Sequence, residues 1–309
     1  MRRTKLAPRH LAAGLAALAT LSLIAACGDD GGSVSSDTAD TAAPVTAPAT
    51  TVTVPLGTTA PTGTGGTEGS GGAAYDHPTG ADEVVIELAY EGGFVPVGTD
   101  FVGAPLLLVA GDGTAIVSGP QIAIYPGPLL PNLQAGEVDE AQIQALLAQA
   151  DELGLLADVE YARNDMIADA PDTVVRISAD GETWEHRAYA LGLDGTETDA
   201  RANLQTFVDE LNVVAGDVSS QETVAFESDS FLVQARPMTP EDVGDEIEPT
   251  VVPWPEDASV RLSDAAVCAE LPWTEGQELF TDANQLTLFD DGGTTYQLSA
   301  VPQLPGRSC

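Results

Sequence analysis

The sequence predicts an α+β fold in which an antiparallel sheet and two amphipathic helices are followed by a smaller mixed C-terminal domain. Three features support this: short segments that alternate apolar with polar residues, Asp-Gly and Gly-Gly pairs between them, and two stretches with apolar residues at helical spacing. The order strands, helix, hairpin, helix favours an antiparallel sheet over a parallel one. We assign the α+β domain to residues 82–215 and the C-terminal domain to residues 216–309.

The first domain opens with a strand at residues 83–90, where Val84, Ile86 and Leu88 alternate with other residues as in a half-buried strand. The clearest hairpin joins residues 173–178 to residues 183–191 through Asp-Gly. The other predicted elements are strands at 106–110, 114–118 and 121–125, a helix capped by Asp139 and ending at Gly154, and a helix at 199–212.

The C-terminal domain is predicted to contain a strand at residues 231–238 and a closing hairpin formed by residues 286–290 and 294–301. Thr274, with Gln277 three residues later, predicts a capped short helix. Trp254 and Trp273 are expected to anchor a small core, since burial is the usual fate of tryptophan. Exposed tryptophans would instead indicate a binding surface.

The first 26 residues have the order of a bacterial secretory signal: a basic start, an apolar run from about Leu11 to Ala26 and small residues before Cys27. The tetrad Ile24-Ala25-Ala26-Cys27 resembles the lipobox of bacterial lipoproteins, with Ile in place of the commoner Leu. The resemblance implies that Cys27 is diacylated and becomes the new N-terminus. The alternatives are cleavage nearby that leaves a thiol, or retention of the apolar run as a membrane anchor.

Residues 27–81 are predicted to form a tether behind the lipidated cysteine. From Gly28 to Ala74 the chain has no aromatic residue, Lys or Arg, and Thr, Ala, Gly, Pro and Ser dominate. Such a segment cannot bury enough apolar area to offset its loss of backbone entropy on ordering. We therefore expect a disordered stalk that holds the folded domains away from the membrane.

The charge of the chain is strongly negative. It has 48 acidic and 11 basic residues, and four of the basic residues lie in the first ten positions, so everything after residue 26 has a formal charge of 7 − 48 = −41. Such a chain repels phosphate backbones and anionic lipids, and we expect no nucleic-acid partner.

Two cysteines remain after Cys27, and in an exported protein Cys268 and Cys309 are expected to form a disulfide. The alternative is a catalytic thiol at Cys268, but the residues beside it in the sequence include no basic side chain that would activate the thiol.

Motifs for catalysis are absent from the sequence. Lys5 is the only lysine, so phosphate-binding loops and Schiff-base chemistry are excluded from the mature chain, and no serine lies in G-x-S-x-G. His186 is a candidate for a general base, but a single histidine without an identifiable nucleophile more often packs on a sheet. The acidic turn at residues 194–199, and Asn164-Asp165 with Asp169 and Asp172, do not complete a calcium motif. We expect no catalytic residue, cofactor or metal.

The lipobox, the tether, the segments VVIELAYEGGFVPVGTDF and DAPDTVVRISADGETWEHRAYALG, and the tail LPGRSC together resemble uncharacterised lipoproteins of actinobacteria. Residues 82–214 are also similar, in Gly92-Gly93-Phe94 and in element order, to secreted inhibitors of thermolysin-type proteases of the emfourin type. The basic residues that often follow Gly-Gly in those inhibitors are missing here.

These observations predict a lipid-anchored protein on the extracytoplasmic face of the cell membrane that binds an extracellular ligand or protein without catalysis. One alternative is an exported hydrolase using carboxylates, which requires two acids to converge in a concave pocket near His186 or Arg187. The other is a protease inhibitor, which requires an exposed loop at residues 92–99.

Overall fold

The computed structural model describes residues 74–96, 98–163, 166–193, 198–243 and 247–309, which all belong to one compact unit, Thr67–Cys309. The predicted signal peptide, Cys27 and the tether up to residue 73 lie outside the described residues. The α+β fold class is confirmed: the described residues form a seven-stranded antiparallel sheet, a five-stranded mixed sheet and four α-helices.

The seven-stranded sheet has the strand order β6-β5-β1-β2-β3-β4-β7. Its strands are β1 (Val84–Glu91), β2 (Leu107–Ala110), β3 (Thr114–Ser118), β4 (Leu133–Glu137), β5 (Asp172–Ala179), β6 (Glu182–Tyr189) and β7 (Val224–Ala225). The β5–β6 hairpin turns at Asp180 and Gly181, whose φ values of 53° and 78° are those of the predicted tight turn.

One face of this sheet, the helical face, is covered by α2 (Glu140–Glu152) and α3 (Asp199–Ser220). Asp139 caps α2 by accepting a hydrogen bond from the Gln142 backbone N–H at 2.8 Å, and Gly154 follows the helix with a φ of 73°. The core between sheet and helices is built from the apolar residues of alternate strand positions and of one face of each helix, among them Ile86, Leu88, Val109, Val175, Leu147, Leu204 and Phe207.

The opposite face of the seven-stranded sheet is covered over only part of its area. Leu108 of β2 and Ile116 of β3 pack against Leu232 and Val301, which belong to two strands of the five-stranded sheet. The part formed by β1, β5 and β6 carries charged side chains instead. This difference in side chains leaves a charged half open and buries an apolar half.

The five-stranded sheet has the order β10-β8-β12-β11-β9, in which β9 and β11 are parallel. Its strands are β8 (Ser230–Pro237), β9 (Val251–Pro253), β10 (Ala269–Pro272), β11 (Leu288–Asp291) and β12 (Thr294–Pro302). Trp254 is buried, and Trp273, at the start of α4 (Trp273–Phe280), stacks on Phe231 with ring centroids 4.4 Å apart. No side-chain cap precedes α4, so the predicted cap at Thr274 is wrong.

Three further predictions, one strand and two boundaries, differ from the structure. Residues 121–125 form an exposed loop and not a strand, since Pro120 and Pro126 flank them and none of the strands in the described part of the chain pairs with them. The second long helix continues to Ser220 because Val214, Ala215 and Val218 extend its buried face, so the predicted boundary at 215/216 falls inside α3. Ordered contacts begin before residue 82, since Tyr75 hydrogen-bonds both Gln144 and Asp151 of α2.

The remaining short helix, α1 (Thr99–Val102), lies between β1 and β2. It follows Gly98 and ends at Gly103, both with positive φ. Its position places the connection between β1 and β2 beside the open half of the sheet.

Candidate functional site

A cleft of about 1470 Å³ lies over the open half of the seven-stranded sheet. Residues of β1, β5 and β6 form its floor. Its walls come from α1 and its flanking loops, from the loop between β3 and β4, and from the C-terminal tail at residues 305–307. The cleft therefore joins segments that are far apart in the sequence.

Charged residues lie opposite one another on the strands of the floor. Glu87 of β1 lies opposite Arg176 of β5, which in turn lies opposite Glu185 of β6. Glu91 lies opposite Asp172 at the end of the same pair of strands. Because side chains alternate between the faces of a strand, this register gathers acids and arginines on the cleft side.

Two arginines of the floor each contact three carboxylates. Arg176 donates to Glu87 at 2.9 Å, to Glu91 at 3.1 Å and to Glu185 at 2.9 Å. Arg187 donates to Glu91 at 2.6 Å, and to Asp172 and Glu185 at 3.3 Å. The carboxylates thus bridge neighbouring guanidinium groups into one network.

The C-terminal tail supplies a third arginine. Arg307 donates to Glu87 at 2.8 Å, so Glu87 accepts from two guanidinium groups. The tail is held there by the Gly306 N–H, which donates to the Asp82 carbonyl, and by Gln303, which donates to the Arg307 carbonyl. We call this set of residues the charged floor: Arg176, Arg187 and Arg307 with Glu87, Glu91, Asp172 and Glu185.

The contacts of the charged floor favour the ionised forms of Glu91 and Arg176. Burial opposes ionisation of Glu91, but hydrogen bonds from Arg187 and Arg176 outweigh it and lower the Glu91 pKa. Burial likewise opposes the charge of Arg176, but the hydrogen bonds and negative charges of Glu87, Glu91 and Glu185 together outweigh burial and raise the Arg176 pKa. The floor can therefore offer charged donors and acceptors to polar groups of a ligand.

Two loops with exposed apolar side chains stand beside the cleft. Strands β1 and β3 both run antiparallel to β2, so the loops that follow them leave the same edge of the sheet. Val95 on the first loop and Tyr125 on the second line the cleft. We call the exposed apolar residues of these loops the apolar rim: Phe94, Val95, Ile122, Ile124 and Tyr125.

The loop after β1 depends on its two glycines. Gly92 and Gly93 have φ values of 71° and 84°, a conformation that other residues rarely adopt. Gly93 also lies so close to the Asp169 carbonyl that a Cβ there would be 3.2 Å from the oxygen. The Phe94 N–H donates to that carbonyl, and the Phe94 side chain is left 92% exposed.

His186 lies on the helical face, away from the cleft. Its Nε2 donates to the Leu155 carbonyl at 2.7 Å, which leaves Nδ1 to accept from the Tyr161 hydroxyl at 2.8 Å. Burial lowers the His186 pKa and raises the pKa of Tyr161 to about 12. The histidine is fully buried and does not reach the charged floor. Its hydrogen bond to the Leu155 carbonyl holds the chain around Leu155 to the sheet.

The two remaining cysteines lie together. Cys268 and Cys309 are at disulfide-bonding distance, with their Cα atoms 5.4 Å apart. The bond joins the residue before β10 to the last residue of the chain, two positions after Arg307. It therefore holds the end of the tail that brings Arg307 to the charged floor.

The candidate calcium ligands are only partly described. Residues 164–165 and 194–197 lie outside the described residues, and Asp172 pairs with Arg187. Within the described part of the chain, no group of three acidic, His or Cys side chains is placed to hold a metal ion. Over the same residues, no helix is long and apolar enough to cross a membrane.

Of these arginines and of Glu87, the sequence indicates only Arg187 as a possible site residue, and no motif contains Glu87, Arg176 or Arg307. The charges at alternate positions of 83–91, 172–178 and 183–191 could have indicated a polar sheet face, but the tail arginine carries no such signal. No family model, curated protein or solved structure matches the chain. Its function is therefore inferred from its own residues.

Proposed function

We propose that this protein is a lipid-anchored, extracytoplasmic binding module whose ligand occupies the cleft over the charged floor. The observation that carries the proposal is the charged floor itself: three arginines paired with four carboxylates on the open sheet face under a wide cleft. The lipobox at Cys27 and the tether support placement at the cell surface. The tether would hold the cleft clear of the lipid headgroups.

The same floor supports binding over catalysis. Acids do converge beside Arg187, as the hydrolase alternative requires. General-acid catalysis by a carboxyl group needs a raised pKa, so that the group is protonated at working pH. The pKa of Glu91 is instead lowered, and its oxygens are occupied by Arg176 and Arg187. We therefore favour a non-catalytic role.

The cleft is tested by a thermal-shift panel on the folded protein. Peptides, oligosaccharides, nucleotides and divalent cations are added separately to the wild type, to Arg187→Gln and to Arg236→Gln. Arg187 belongs to the charged floor, whereas Arg236 is exposed and does not line the cleft. We expect one class to raise the Tm of the wild type and of Arg236→Gln but not that of Arg187→Gln. A panel without any shift, or a shift shared by all three proteins, would count against the cleft.

The anchor is tested separately by Cys27→Ser in a bacterial host that processes lipoproteins. We expect the wild type in the membrane fraction and the variant in the soluble extracytoplasmic fraction, because two acyl chains are needed for stable anchoring. Intact mass measurement of the wild type should show a chain that begins at Cys27 with added acyl mass. A processed variant that stays on the membrane would refute lipidation.

Exposure of Phe94 favours a second candidate, a protease-inhibitor-like role. The residue is 92% exposed on a loop that two glycines and one backbone hydrogen bond hold in place. In this candidate the loop enters the cleft of a thermolysin-type protease. Purified protein should then inhibit such a protease and Phe94→Asp should not; equal inhibition by both proteins would exclude this loop.

A further inference from the structure

The apolar rim concentrates hydrophobic side chains that are usually buried. Its five members account for five of the twelve large hydrophobic side chains exposed among the described residues, and they lie on two loops at one edge of one sheet. Phe94 and Ile122 are 92% and 71% exposed. Exposed apolar groups beside a polar cleft are typical of a surface that a partner covers.

The size of the cleft favours a polymer over a small molecule. Pockets for small ligands occupy about 300–1000 Å³, whereas this cleft has a volume of about 1470 Å³. Its walls extend from the C-terminal tail to the loop between β3 and β4. Val95 and Tyr125 of the rim line the cleft together with the floor, so a chain-like ligand in the cleft can contact both.

Large apolar side chains on the rim favour a polypeptide as that polymer. Phe94, Ile122 and Ile124 offer no polar groups for sugar hydroxyls, whereas they suit the apolar side chains of a peptide. A peptide also carries amide and charged groups that the charged floor can pair. Floor and rim together therefore match the mixed chemistry of a polypeptide segment.

Charge decides which polypeptide fits. The cleft is lined by four carboxylates, those of Glu87, Glu91, Asp100 and Asp172, against three arginines, a balance of 3 − 4 = −1. A second copy of the chain is disfavoured, since each copy has a charge of −41 after residue 26. The protein's own tether is disfavoured too, because residues 28–73 contain acids but no Lys or Arg. A cationic partner complements this surface.

We propose that the cleft binds an extended, cationic segment of a partner polypeptide, with apolar side chains of the segment on the rim and its basic side chains toward the carboxylates of the cleft. This inference rests on the proposed function, because it names the ligand class of the same cleft. It assigns the two loops a role in affinity and the charged floor a role in selecting charge.

The probe is a short fluorescein-labelled peptide in which Arg alternates with Phe and Val, measured by fluorescence anisotropy at about 0.15 M salt. Two control peptides isolate its features: one has Glu at every Arg position, and the other has Ser at every Phe and Val position. We expect the probe to bind and both controls to bind at least about tenfold more weakly.

Protein variants locate the binding. Phe94→Ser and Ile122→Ser change exposed side chains of the rim, so neither should disturb folding. Val213→Ser is the matched control, since Val213 is 56% exposed on α3, which covers the other face of the sheet. We expect each rim variant to weaken binding about tenfold or more and the control to bind as the wild type does.

Each other outcome overturns the inference. If rim variants and control bind alike, the peptide is held by general charge attraction and not by the rim. If the probe fails to bind while an oligosaccharide or nucleotide stabilises the wild type but not Arg187→Gln, the ligand class is wrong and the proposed function stands. If neither the probe nor any panel class binds in a cleft-dependent way, both proposals fail.

Discussion

Replacement of Glu87 by Gln tests how the charged floor is held together. Glu87 is a carboxylate on a central strand, and its side chain is only 6% exposed. It accepts hydrogen bonds from Arg176 and Arg307, which come from a neighbouring strand and from the C-terminal tail. Glutamine preserves the shape of the side chain, so the substitution removes the negative charge and one acceptor without leaving a large cavity.

The size of the effect follows from those two bonds. Hydrogen bonds to charged groups contribute about 1.5–3 kcal/mol each. The side chains of Arg176 and Arg307 are 29% and 25% exposed, so water partly solvates the groups that lose their partner. The Gln oxygen can still accept one bond. We therefore expect Glu87→Gln to lower the free energy of unfolding by about 2–4 kcal/mol.

Glu185→Gln is the matched control because Glu185 also pairs with Arg176, at the same 2.9 Å distance, but its side chain is 44% exposed. We expect the control to lose less than about 1 kcal/mol, since exposed pairs contribute little. Urea denaturation at neutral pH, followed by tryptophan fluorescence, measures both. Equal losses for the two variants would refute the reasoning that the burial of Glu87, at the same contact distance, makes its ion pairs contribute more to stability.

Two further predictions concern stability. Because burial lowers the pKa of His186, the unfolded chain takes up a proton first, and the free energy of unfolding should fall as pH drops below the ordinary value of about 6.5. His186→Gln should remove this part of the pH dependence between about pH 7.5 and 5.5, and an unchanged profile would assign it to other groups. Replacing Cys268 and Cys309 by Ser opens a link across 41 residues, and the free energy of unfolding in urea should fall by about 3–4 kcal/mol; a loss below about 1 kcal/mol would show that the tail contacts alone suffice.

Local pattern was enough to predict most elements of the fold. The β5–β6 hairpin, the capped helix after Asp139 and the closing hairpin are encoded by neighbouring residues: turn glycines, a cap and a period of apolar positions. The QIAIY segment at residues 121–125 shows where this fails. Its alternation is that of a strand, but a strand also needs a pairing partner, and the prolines on both sides leave it a loop.

The charged floor could not be predicted in the same way. Arg307 and Glu87 are 220 residues apart in the chain, and no local pattern indicates that the tail returns to β1. The apolar rim could be predicted only in part: the inhibitor alternative requires an exposed loop at residues 92–99, which includes Phe94, but Ile122 alternates with polar neighbours as in a half-buried strand. The pairing of β1 and β3 with β2 shows that both loops leave the same edge of the sheet, where both side chains are exposed.

The sequence by itself determined the α+β class and the strong negative charge. It also predicts a disulfide between the last two cysteines and an export signal at the start of the chain. These properties depend on composition or on residues close in the chain. The tertiary structure alone decided that half of one sheet face is open and that three arginines and four carboxylates meet there. The reason is that strand order, register and the path of the tail are set by packing between distant segments, which no local stretch of sequence encodes.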